Sequence, residues 1–157
     1  MTSLAHRARL FTVSAGAITV FGVAACGTPS PDLFVVQRSG SIPGARLTLR
    51  VQDGGEVTCN GRAGGLMQSG QLIDAREIVR ELGGGAVDRQ NDVTSATGPL
   101  DRNLQLPPGP GAILRYALRA EEGRVAFSDT SPRQPKAFFR VAKLVRELAQ
   151  DVCGLPR

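Results

Sequence analysis

Apolar and polar residues alternate over positions 45–51. Ala45, Leu47, Leu49 and Val51 fall on one side, and Arg46, Thr48 and Arg50 on the other. That period of two predicts a strand with one wet face. Asp53-Gly54-Gly55 is a hairpin turn signal, and 56–59 returns as a strand with Val57 and Cys59 sharing a face. Upstream, Leu33-Phe34-Val35-Val36 predicts a first strand. Arg38, Ser39, Gly40, Ser41, Ile42, Pro43 and Gly44 then form a connection, because Gly and Pro punctuate them. Alternation resumes over 113–120 with Leu114, Tyr116 and Leu118 on one face. Glu121-Glu122-Gly123 turns that strand, and 124–129 returns with Val125 and Phe127 inward.

Two segments carry the helical period instead. Over 71–82, Leu72, Ala75, Ile78, Val79 and Leu82 form an apolar stripe, with Ser69 as cap and Gly83-Gly84-Gly85 as terminator. Pro135 opens a second helix that runs to about Cys153. Phe138, Val141, Ala142, Val145, Leu148, Ala149 and Val152 form its broad apolar face, and Gly154 stands at the C-terminal cap. Residues 86–112 hold Gly98-Pro99 and the run 106–111 rich in Pro and Gly, with few apolar anchors. A loop of that length inside a domain is either functional or conceals structure. The order β-β-β-α-β-β-α predicts one α+β domain over 33–157, with an antiparallel sheet of about five strands and both helices on one face.

The N-terminus follows a different pattern. Arg7 and Arg9 precede a stretch over 10–23 that is almost wholly apolar or small. That is the charged n-region and short h-region of a secretory signal, and it is shorter than the roughly twenty apolar residues a membrane span needs. Val23-Ala24-Ala25-Cys26 then resembles the lipobox of bacterial lipoproteins. The resemblance implies that the Cys26 thiol takes a diacylglyceryl group and that signal peptidase II removes residues 1–25. It also implies that the chain is held at the extracytoplasmic face of the cell membrane by two acyl chains, enough for stable anchoring. The competing reading is an ordinary small-residue cleavage site with Cys26 a bystander. Residues 26–32 become a tether spanning at most about 20 Å.

Loss of the leader leaves 132 of 157 residues, removes the only histidine, His6, and lowers the formal charge from +5 to +3. One domain with a modest core is the size that implies. With Cys26 lipidated, Cys59 and Cys153 remain as an even pair in an oxidising compartment, where disulfides form and persist. Cys153 lies four residues after Ala149, at the edge of the second helix's apolar face, and Cys59 points inward from its strand. A Cys59–Cys153 disulfide is therefore expected, against the alternative of two buried thiols.

The chemistry left to the mature chain is sparse. Without histidine it has no serine–histidine or cysteine–histidine nucleophile pair, and two distant sulfurs supply no zinc set. Gly83-Gly84-Gly85 ends a helix rather than opening one, so it is not a phosphate loop. Asp53, Glu121 and Glu122 lie in turns, where acids usually serve turn geometry, and Asp129 ends a strand. The expectation is no enzyme, no catalytic residue, no metal and no cofactor. Nucleic acid is not an expected partner, because aromatics for stacking are scarce. Arg46 and Arg50 share the outer face of one strand, and Arg115 and Arg119 that of another. Neighbouring strands would set four guanidiniums on the uncovered side, suited to anionic lipid or an acidic polymer; the plain alternative is a solvated face.

Two further resemblances extend over the mature chain. Residues 32–36, 38–41, 57–61, 127–131 and 152–155 resemble small lipoproteins of high-GC bacteria with no established activity. Val36-Gln37-Arg38-Ser39-Gly40, Gly44 before Ala45-Arg46-Leu47, and Arg115-Tyr116-Ala117-Leu118 returning through Phe127-Ser128-Asp129 resemble emfourin, the protealysin-inhibitor family. The expected disulfide, the anchor and the long Pro/Gly loop depart from that family's pattern. The first resemblance implies a membrane-anchored, non-catalytic binding or envelope-associated module. The second implies a tethered inhibitor of thermolysin-type metalloproteases that uses the 38–44 connection as a steric plug, with a secreted protease as partner.

Overall fold

The alternation expected over 45–51 and 113–120 is observed, and both segments lie in one sheet. The computed structural model describes residues 30–85 and 97–155. Residues 1–25, Cys26, most of the tether and positions 86–96 of the long connection lie outside the described residues. Six strands, β1 (Asp32–Gly40), β2 (Leu47–Gln52), β3 (Glu56–Cys59), β4 (Arg62–Leu66), β5 (Leu114–Ala120) and β6 (Gly123–Ser128), form an antiparallel sheet in the order β4-β3-β2-β1-β5-β6. Helix α1 (Ser69–Leu82) follows β4 and helix α2 (Lys136–Asp151) follows β6. The fold is α+β, with one strand more than expected.

The extra strand is β4, which follows β3 through Asn60 and Gly61, both at positive φ (52° and 79°). That backbone is what a two-residue hairpin turn of the primed type requires. β1 is also longer than Leu33-Phe34-Val35-Val36. It continues through Arg38, Ser39 and Gly40, so the connection begins at Ser41 rather than Arg38. The lengthening follows from pairing: β5 bonds along β1 as far as Gly40↔Leu114.

Phe34 and Val36, Leu49 and Val51, Tyr116 and Leu118 all point inward from their strands. Together with the apolar faces of both helices they make one continuous core, which places α1 and α2 on the same side. Tyr116, Phe127 and Phe138 stack through it, with centroids 5.1 and 4.4 Å apart. α1 starts two residues before Gln71, and Gln68 rather than Ser69 is its cap, closed by a reciprocal box with Gln71. α2 ends at Asp151 with Val152, not Gly154, as its C-cap; Gly154 follows two residues later in the left-handed region at φ 63°. Arg140 of α2 reaches Asp74, Glu77 and Glu81 along α1 and clamps the helices together.

The part of the long connection that is described is not a bare loop. Leu100 is wholly buried. The Leu106 N–H donates to the Ala126 carbonyl and the Ala126 N–H to the Leu104 carbonyl, so Gln105 bridges β6 in parallel. This segment covers the open edge of β6, which would otherwise invite pairing with another chain. Among the described residues no helix is long and apolar enough to cross a membrane.

Candidate functional site

The face of the sheet away from the helices is uncovered, and its outward residues are the ones with unspent chemistry. Arg46, Arg50, Arg115 and Arg119 are exposed there. β2 and β5 are not neighbours, however: β1 lies between them and contributes Val35, Gln37 and Ser39 to the same surface. Arg50 pairs with Asp32 at 3.5 Å. Arg124 joins the group as the cross-strand partner of Arg119. Among the described residues Arg46, Arg115, Arg119 and Arg124 make no ion pair.

Small side chains shape what lies between these cations. Ala117 and Ala126 stand opposite each other across β5 and β6 and, with Gln37, floor two adjoining hollows of about 530 and 460 Å³. Arg46 and Arg115 border the first, and Arg119 and Arg124 the second. Gln105, Leu106 and Pro108 rise along β6 as a wall. The result is a shallow trough with an alanine floor and arginines at both ends.

The connection singled out from sequence has a different character. Arg38 turns inward from β1 and is 7% exposed. Its Nε donates to the Ala45 carbonyl at 3.0 Å and its Nη2 to the Gly44 carbonyl at 2.8 Å. Arg38 is thus a brace under the turn and is not displayed. Ser39 faces the open side and Gly40 ends the strand. The Ser41 N–H donates to the Ile113 carbonyl, and the Ala45 N–H closes the turn on the Ile42 carbonyl. Ile42, 44% exposed, stands at the surface beside Pro43 and Gly44. Gly44 sits at φ 73°, the left-handed region that suits glycine.

Cys59 and Cys153 form a disulfide. Two of the turn acids are engaged structurally, and Glu121 and Glu122 are exposed. Asp53 holds Arg76 at 2.8 Å, and Asp129 accepts the Ile113 and Leu114 N–H groups. Lys143 lies 3.6 Å from Glu147. Among the described residues no cluster of three His, Cys, Asp or Glu side chains could hold a metal ion.

Sequence reasoning missed Arg124, the alanine floor and the wall. The alternation around Val125 and Phe127 was enough to place Arg124 outward; nothing in the sequence pattern placed 104–106 against β6. No family model, curated protein or solved structure matches the chain.

Proposed function

We propose that this chain is a membrane-anchored extracytoplasmic lipoprotein and a non-catalytic binding module whose open sheet face takes an extended acidic chain. The observation that carries the reading is the direct opposition of Arg119 and Arg124 in the β5–β6 register, neither with a carboxylate partner among the described residues. Like charges directly opposite on one sheet face are destabilising. An anionic ligand converts that cost into attraction. Arg46 and Arg115 border the far end of the trough from either side of β1, and a walled trough suits a chain better than a flat surface.

Anchoring rests on the resemblance of Val23-Ala24-Ala25-Cys26 to a lipobox. A tether from Cys26 enters the sheet at Asp32, beside the strand ends that carry Arg119 and Arg124, so that end lies nearest the bilayer. The test is fluorescence anisotropy of labelled polyglutamate against the full chain in detergent. Saturable binding that weakens with salt and is lost in the Arg119→Glu/Arg124→Glu variant is expected. Equal binding by that variant contradicts the reading.

A second reading, an emfourin-like inhibitor of thermolysin-type metalloproteases, draws on the brace. Arg38 fixes the turn that presents Ile42, and a preorganised plug loses little freedom on binding. Unslowed cleavage by a panel of secreted metalloproteases at micromolar chain would end it.

A further inference from the structure

Arg38 is a cation covered by protein, yet its hydrogen bonds are to two neutral carbonyls. It makes no ion pair among the described residues. Covered charges are normally paired. Its position on the inner face places it beside Tyr116, its register partner on β5. Tyr116 is 1% exposed, and its hydroxyl has no hydrogen-bond partner of normal geometry, although the Arg146 guanidinium lies close enough to act on it as a donor.

A third group completes the set. Arg146 projects from α2, lines the same recess as Arg38, and likewise makes no ion pair among the described residues. The recess measures about 80 Å³ and lies between the 42–45 turn and α2, closed by Leu114 and Ala149. At about 30 Å³ per water it holds two or three waters or one oxyanion. Burial lowers the Arg38 pKa, Tyr116 raises it, and Arg146 lowers it further, as expected for two cations facing one small space. The acid that bears on Tyr116 is Asp129, whose oxygens are already held by backbone N–H groups. Glu147 on α2 is engaged by Lys143.

We propose that the recess between Arg38 and Arg146 binds a single small oxyanion: a carboxylate, sulfate or phosphate group. One such group supplies the missing countercharge for both guanidiniums. It also rigidifies the turn that Arg38 holds. The site is separate from the trough, since Arg38 and Tyr116 point to the opposite side of the sheet from Arg119 and Arg124.

The probe is inorganic phosphate, titrated at constant ionic strength into the full chain in detergent. The readout is the ¹H–¹⁵N signals of the Arg38 and Arg146 Nε–H groups. Saturable shifts at both are expected. Arg146→Ala, a change at an exposed position, weakens binding about tenfold or more, the loss of one charge-assisted contact. A peptide with a free C-terminal carboxylate, compared with its amide, separates the sources: preference for the acid assigns the site to a group presented by a ligand, and a phosphate response alone assigns it to a free ion. No saturable shift, or identical titrations for wild type and Arg146→Ala, overturns the proposal and leaves the trough reading untouched.

Discussion

Cys59 on β3 and Cys153 just beyond α2 are joined by a disulfide across 94 residues of sequence, with Cα atoms 5.8 Å apart. The bond ties the strand half of the domain to the end of its last helix. Closing a loop of that length removes unfolded-state entropy worth about 4–5 kcal/mol in the chain-entropy model. The Cys59→Ser/Cys153→Ser variant should lose a large part of that, read as a fall in the urea midpoint. Reduction of the wild type should give a similar fall and leave the double variant unchanged.

Gly64 lies against the same bond. A Cβ built there would stand 2.7 Å from the Cys59 sulfur and 3.2 Å from the Val57 carbonyl oxygen. Gly64→Ala should therefore destabilise by about 1–3 kcal/mol, the usual cost of overpacking. Gly70, in the first turn of α1, has nothing within 4 Å of its virtual Cβ. Gly70→Ala should be neutral or stabilising by up to about 1 kcal/mol. Chemical denaturation of the two variants side by side checks both signs.

Arg140 faces three acids on α1. Removing it leaves Asp74, Glu77 and Glu81 as uncompensated neighbours. The groups are partly exposed, so each contact is worth only about 0.2–1 kcal/mol. Arg140→Ala should cost about 1–2 kcal/mol at low salt, and the difference from wild type should shrink as salt screens the carboxylates.

Tyr116 gives a pH signature. Burial raises its pKa above the ordinary phenol value, while Arg146 and Arg38 oppose that and Asp129 adds to it. The folded chain therefore holds the phenol proton when the unfolded chain has begun to release it. The stability this contributes is complete below the unfolded pKa, about 10, and is lost as pH rises through the higher folded value. Thermal melts across the alkaline range should show this loss in wild type and a shallower one in Tyr116→Phe.

Much of the scaffold could be read from alternation alone. Leu47, Leu49 and Val51, or Leu114, Tyr116 and Leu118, announce both a strand and its buried face, because the side-chain period of a strand is two. β4 could not be read this way. Arg62-Ala63-Gly64-Gly65-Leu66 has no apolar alternation, and Leu66 is 71% exposed. Its signal was the Asn60-Gly61 turn, which fixes a returning strand by backbone chirality rather than by hydrophobicity. Arg38 misled for a related reason. A charged residue followed by Gly and Pro suggests a surface connection, whereas here pairing with β5 extends the strand and two carbonyls accept from the guanidinium. The trough lies further from sequence: its outward arginines follow from the strand period, but strand order and the 104–106 edge cover are tertiary facts.

The proposed anchoring at Cys26 underlies both the proposed compartment and the proposed orientation of the trough. The most direct measurement is the intact mass of the native protein extracted from membranes, with fragmentation of its first residues. The account predicts a chain beginning at Cys26, carrying a diacylglyceryl thioether, with the other two cysteines oxidised. A retained leader, or an unmodified thiol at residue 26, would contradict it.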